Sequence, residues 1–329
     1  MGARQRRKLL LALAGTALAA PLAPFAQQQP ARVARIGVLG VTTAAGYARQ
    51  VEALRQGFRD LGYAEGKNLV LEFRWADGRY DRLAGLADEL IRLKPDVIVT
   101  SGAGTRVLKE ATTTIPIVMA VSSDAVAARL IASLARPGGN ITGSTSFGPE
   151  ILAKRLELLK EAVPRLARVA ALLNPDNTGT SVDLETAKKT AAALKVELVE
   201  VPARLPREFE DAFALMRRQR PDGVVLFNDS MFVANSRRLG ELSAASRLPG
   251  AGSDEYAEGG GLLAYGASFP ALWRRAPYFV DRILKGANPA TIPVEQAAKF
   301  ELIYNVSAAK AMGLPVQQSL VLRADAVIQ

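Results

Sequence analysis

From residue 33 onward, short apolar runs alternate with helical stripes, and this alternation restricts the fold more than any other feature of the chain. Residues 33–40 (VARIGVLG) read as a buried strand, followed by a turn at Thr42, Thr43 and Gly46. Tyr47, Val51, Leu54, Phe58 and Leu61 then fall on one face of a helix that Gly62 ends. The same reading gives strands at 68–73, 96–102, 115–121 and 140–146, and helices over 80–93, 105–111 and 125–135, the last closed by Pro137-Gly138-Gly139. The second half repeats the pattern. It predicts helices over 150–162, 179–194, 206–219, 232–246, 270–285 and 307–312, and strands RVAALL, VELVEV, DGVVLF, GLLAYG and KFELIYN. LPGAGSD stands where another strand is due but is poor in apolar residues, so it reads as short or irregular. SLVLRADAVI is a closing segment. Short apolar strands separated by amphipathic helices are the pattern of parallel α/β sheets. Two similar units meet near 143–149. The tail after 267 is too small for a domain and is expected to return across the join and complete both sheets. One lobe is then 31–145 with part of 267–300, and the other 146–266 with part of 300–329.

The first 26 residues place the protein outside the cytoplasm. Arg4, Arg6, Arg7 and Lys8 precede an uncharged stretch, LLLALAGTALAAPLAPFA, and polar residues follow. This is the layout of a secretory signal peptide, with small residues suited to cleavage after Ala20 or Ala26. The apolar run is too short to span a bilayer, and Pro21 and Pro24 stop it. Export to a bacterial periplasm is the expectation, with a retained anchor as the alternative.

The 329 residues include no cysteine and no histidine. Disulfides, thiolate chemistry and a lipidated cysteine anchor are thereby excluded, and the commonest general base and zinc ligand are missing. The formal charge of +10 falls to +6 once the four basic residues of the leader are removed. The remaining basic residues are scattered among acids, with no basic block interleaved with aromatics, so no nucleic-acid partner is expected. SGAGT at 101–105 lacks the third glycine of a dinucleotide loop and follows the third strand instead of the first. No phosphate-binding loop or serine nucleophile elbow is present. No cofactor, no metal and no catalysis are expected.

In parallel sheets ligands bind beyond the carboxyl ends of strands. Those ends offer Thr42 and Tyr47, Ser101 and Gly102, Ser122, Ser123 and Asp124, then Asn177, Asp229 and Asp254. Hydroxyls, amides and carboxylates of this kind suit hydrogen bonding to a small polar ligand. Several of these positions also read as helix caps. Asp229 and Asp254 are either partners for an amino group or solvated loop acids. Tyr47, Phe147, Phe227 and Tyr256 are either cleft walls or core.

RIGVLG (35–40), GFRDLGYAEGKNLVLEFRWADG (57–78), ADELIRLKPDVIVTSG (87–102), ARPGGNITG (135–143), KRLELLKEAVP (154–164), EGGGLLAYG (258–266), RRAPYFVDRILKGANPATIPVEQAAKFELIYN (274–305) and AKAMGLPV (309–316) together make a specific combination. The chain resembles the periplasmic substrate-binding proteins of ABC transporters, in the family that includes binders of aromatic amino acids. The resemblance runs from about 33 to 328. It implies a type I periplasmic binding protein fold: two Rossmann-like lobes with parallel sheets, joined by crossover strands. It also implies a monomeric carrier that captures an amino acid or related metabolite in the interlobe cleft. The carrier would deliver that ligand to a permease in the inner membrane. A sensory ligand-binding protein and an exported enzyme on the same fold are the alternatives. The family's aspartate-proline and later glycine after the fourth strand are altered here, with Ala125 replacing the proline and Arg129 the glycine.

Overall fold

The computed structural model describes residues 33–146 and 148–329. The leader and Phe147 lie outside them. In the first lobe, β1 (Ala34–Gly40), α1 (Ala48–Asp60), β2 (Leu69–Trp75), α2 (Leu83–Arg92), β3 (Val97–Ser101), α3 (Ala103–Ala111), β4 (Ile117–Ser122) and β5 (Ile141–Thr145) follow one another. The second lobe continues with α4 (Gly148–Ala162), β6 (Arg168–Leu173), α5 (Thr180–Ala193), β7 (Glu197–Pro202), α6 (Phe209–Gln219) and β8 (Gly223–Leu226). After these come α7 (Ser230–Ala234), α8 (Ser236–Ala245), β9 (Gly250–Gly252), α9 (Asp254–Glu258) and β10 (Leu263–Gly266). The tail contributes α10 (Phe269–Leu284), β11 (Glu295–Gln296), β12 (Glu301–Asn305), α11 (Val306–Ala311), α12 (Gln318–Arg323) and β13 (Ala326–Ile328).

Among the described residues the strands form two sheets, in the orders β11-β5-β4-β3-β1-β2 and β13-β12-β10-β9-β8-β6-β7. The first is parallel throughout. The second has one antiparallel pairing, β10 with β12. The chain crosses between sheets after Thr145, after Gly266 and after Gln296: α10 packs along α1, β11 joins β5, and β12 joins β10. Each sheet is buried on both faces, which is why its strands read as continuous apolar runs. Val97 and Val99 pack with Leu54, Phe58 and Trp273 on one face, while Ile98 packs with Leu83, Leu90 and Met119 on the other. In the second lobe Leu156 and Leu159 cover one face, and Phe209, Phe213 and Phe232 the other.

The irregular LPGAGSD stretch is a real central strand, β9, between β8 and β10. It lacks apolar side chains because the Tyr256 ring fills their place. A Cβ at Gly252 would sit 2.6 Å from the Tyr256 Cγ, and one at Gly250 2.1 Å from its hydroxyl.

The predicted helix over 125–135 does not form; the segment is a series of turns. Asp124 Oδ1 accepts from the amides of Val126 (3.0 Å) and Ala127 (2.9 Å), which starts a single turn. Arg129 then takes a left-handed conformation (φ 54°) that stops it, and the Leu130 amide returns to Ala125 O at 2.8 Å. The predicted helix over 232–246 is likewise two helices, broken at Asn235.

A left-handed conformation costs a residue with a Cβ about 1–2 kcal/mol, and glycine gives part of that back in unfolded-chain entropy. The Arg129 side chain is exposed, while its carbonyl receives the Lys109 ammonium, a contact that any residue there would keep. Arg129→Gly is therefore expected to stabilise the protein by about 1 kcal/mol. Chemical denaturation of the two proteins checks this; an unchanged or lower midpoint refutes it.

Candidate functional site

The carboxyl ends of β1, β3 and β4 face those of β6, β8 and β10 across a cavity of about 200 Å³. Of the residues expected at the site, Tyr47, Ser101, Gly102, Ser122, Ser123, Asp124, Asn177 and Asp229 line it together. Thr42 and Asp254 do not. Thr42 borders a separate small pocket, where the turn after β1 and Asp77 meet Pro206, Ala234 and Asn235 of the second lobe. Asp254 starts α9 at the rim, with its carboxylate 3.8 Å from the Arg49 guanidinium.

The first-lobe wall is aromatic. Tyr47 stacks on Trp75 (5.6 Å between centroids) and tilts against Trp273 (5.2 Å), while its hydroxyl shares a 2.9 Å hydrogen bond with Ser101. Burial raises the Tyr47 phenol above its ordinary range, so it stays protonated. Phe269, Leu272 and Trp273 bring the start of α10 to the same wall. Phe227 and Tyr256 are not walls: both lie in the second-lobe core, where the Tyr256 hydroxyl meets Ser243 at 2.6 Å.

Asp229 lines the cavity, but its oxygens are already engaged. Oδ2 accepts from the Tyr80 hydroxyl at 2.6 Å and from Asn177 Nδ2 at 2.9 Å, and Oδ1 accepts from the Met231 amide at 2.8 Å. Burial nevertheless raises its carboxyl above the usual range. Since Tyr80 belongs to the first lobe, this is a hydrogen bond across the cleft. Arg49 adds a second crossing, to Glu255 at 2.7 Å. Close approach of the lobes also requires Gly102, at φ 56° and ψ −131°, where a Cβ would lie 2.9 Å from the Ser230 hydroxyl. The lobes are thus closed on one another.

The groups that sequence reading missed are charged or polar residues on helical faces. Arg155, on α4, is buried and lines the cavity. Its Nε donates to Tyr265 O (2.8 Å), and its Nη1 to Leu226 O (3.0 Å) and Asn228 Oδ1 (3.2 Å). Its Nη2 makes no hydrogen bond to a described residue. Burial lowers the guanidinium to about 10, opposed by the charges of Asp183 and Asp254, and it remains cationic at neutral pH. Asp183, on α5, is buried beside it. Desolvation pushes the Asp183 carboxyl up to about 7; the nearby Arg155 charge opposes the rise, Glu150 adds to it, and the polar Asn228 side chain lowers it. The signal was present in spacing. Arg155 stands between Leu152, Leu156 and Leu159, and Asp183 in the series Thr180, Ala187, Ala191, so each occupies a core position of its helix. Gln50 does the same among Tyr47, Val51 and Leu54.

No group of three or more metal-ligating side chains occurs among the described residues, and no described helix is long and apolar enough to cross a membrane. The architecture recurs in solved structures. A conserved domain protein from Vibrio cholerae matches with TM-score 0.83 and 25% identity over 90% of this chain and all of that one. An ABC domain from Streptococcus pneumoniae in complex with L-Trp matches with TM-score 0.81 and 22% identity over 90% of this chain and 99% of that one. Among curated proteins, the tyrosine-binding protein of Clostridioides difficile (strain R20291) is 24% identical over 270 residues, which cover 80% of this chain and 77% of that protein. The family model described as ABC transporter substrate binding protein matches residues 35–328. The chain therefore belongs to the ABC transporter substrate-binding protein family, extracytoplasmic proteins that bind a small ligand for a transporter and do not transform it.

Proposed function

We propose that this protein is the periplasmic receptor of an importer for a free α-amino acid. The observation that carries this reading is that Arg155 and Asp183, both buried, line the same second-lobe wall of the cavity between the lobes. An open guanidinium N–H edge suits a ligand carboxylate, and a buried carboxylate suits an ammonium. A zwitterion supplies both counter-charges, so neither protein charge stays uncompensated. The aromatic wall of Tyr47 and Trp273 would take an apolar or aromatic side chain. The relatives named for tyrosine or holding L-Trp point to the same class. Ser101, Gly102, Ser122, Ser123, Asp124 and Asn177 would complete the polar contacts, and Thr42 and Asp254 would act outside the cavity. In this reading residues 1–26 are a cleaved signal peptide. The lobes are 31–145 with part of 267–300 and 146–266 with part of 300–329, and the monomer delivers its ligand to an inner-membrane permease.

Asp229 then serves closure. Its bond to Tyr80 forms only when the lobes meet, so it biases a two-state equilibrium without touching the ligand's identity. Tyr80→Phe is expected to weaken every ligand by a similar factor of about 3–10, through the loss of one hydrogen bond between the lobes. Calorimetric titration with several amino acids checks this; selective loss of one ligand assigns the pair to recognition instead.

Asp183→Asn tests the ammonium site. It is expected to weaken an amino acid by about 10- to 100-fold, while the deaminated acid of the same side chain binds wild type and variant alike. Equal losses for both ligands would defeat the assignment.

The carboxyl's raised value also fixes two pH dependences. An ammonium needs the ionised form, so affinity is expected to rise as pH increases from 6 to 8, with proton release on binding near pH 7. In the ligand-free protein the sign is opposite. Between an unfolded value near 4 and the folded value near 7 the native state binds the extra proton, so Asp183 lowers stability as pH rises through that window. Melting curves are expected to show Asp183→Asn equal to wild type near pH 4 and more stable at pH 8. The pH effects tie to Arg155, Glu150 and Asn228, the groups facing the carboxyl.

A further inference from the structure

Gln50 is 96% buried, lies in the first turn of α1 and lines the cavity, yet its side-chain amide makes no hydrogen bond to a described residue. The Tyr47 hydroxyl is taken by Ser101, and Arg49 points outward to Glu255. The first-lobe side of the lining also carries the rings of Tyr47 and Trp273 and the side chain of Leu272, and the Trp273 Nε1 is itself buried without a partner among the described residues. Arg155 and Asp183, the groups that would hold a zwitterionic head, belong to the opposite lobe. An enclosed side chain on the cavity wall whose amide is not engaged by the protein presents that amide to whatever the cavity holds, and an amide both donates and accepts. Its complement in the closed cleft is therefore a hydroxyl or N–H group carried on the ligand's side chain, reached across aromatic surface.

We propose that Gln50 is a specificity-determining residue whose amide hydrogen-bonds the polar group at the end of the ligand's side chain. The cleft then selects an amino acid whose aromatic ring bears a hydroxyl or N–H over the same ring without it. This rests on the amino-acid reading above. A site built to hydrogen-bond such a group rejects the analogue lacking it far more strongly than an apolar site distinguishes a methylene, because the protein amide is stranded again.

Two ligand pairs test it by calorimetric titration: tyrosine with phenylalanine, and tryptophan with its benzothiophene analogue, in which sulfur replaces the N–H. In the wild type, the polar member of at least one pair is expected to bind about thirtyfold or more tighter than its partner. Gln50→Met, which keeps the length and removes the amide, is expected to bring that ratio within about threefold by weakening the polar member alone. Gln50→Asn, which keeps the amide but withdraws it by one methylene, is expected to fall between and guards against a Met variant that folds poorly. Ratios near one in the wild type, or equal losses of both members in the variants, overturn the role of Gln50 and leave the amino-acid reading standing. Failure of all four ligands to bind the wild type overturns the role of Gln50, and failure of the other standard amino acids as well overturns both.

Discussion

The Arg155 guanidinium carries a full charge into the place where β8 and β10 end, and the second-lobe side of the cleft is arranged around it. Removing such a group from water is expensive, and the expense is offset only where oxygen acceptors surround it. Leu226 O, Tyr265 O and Asn228 Oδ1 provide them, and Asn228 in turn donates to Gly148 O at 2.9 Å. One side chain thereby ties the beginning and middle of α4 to the ends of two strands. The acceptors are neutral, however, and the neighbouring carboxyl of Asp183 is itself discouraged from ionising by burial. The charge is solvated by the protein but not neutralised by it. A ligand carboxylate would complete that arrangement.

The same physics explains which parts of this fold were legible in the sequence. Parallel strands buried on both faces must be apolar along their whole length, so Arg168–Leu173 and Val97–Ser101 declared themselves. Gly250–Gly252 did not, because its covering side chain comes from Tyr256, a few residues later in the chain. The stretch after β4 carries helix-forming residues, yet a left-handed arginine ends the first turn; no propensity scale anticipates that choice. At the site, reading strand ends found the backbone-rich half of the cavity, from Ser101 to Asp124 and Asn177. It missed Arg155, Asp183 and Gln50 because each sits inside an otherwise apolar helical stripe and was passed over as part of a helix. A polar residue in register with core leucines is the sign that would have exposed them.

Division of labour between the lobes follows from these placements. The second lobe brings Arg155 and Asp183 to the cavity, and the first brings the rings of Tyr47 and Trp273, the hydroxyls of Ser101, Ser122 and Ser123, and the Gln50 amide. The carboxylate of Asp229, an obvious candidate from sequence, is instead engaged by Tyr80, Asn177 and the turn into α7. Its burial is tolerable because each oxygen has a donor. In the proposed reading, recognition and closure would use different acids in one cavity.

The contact of Arg49 with Glu255, and more loosely with Asp254 and Glu258, lies at the rim and not in the interior. With half of the arginine side chain open to solvent, the cluster adds little to equilibrium stability. Its position gives it leverage of another kind, since these charges part when the lobes separate. Mobile ions screen such separations over a distance of roughly 8 Å in physiological saline. The dwell time of a captured molecule thus becomes sensitive to the salinity of the medium, while the choice of molecule, made deeper among desolvated groups, does not.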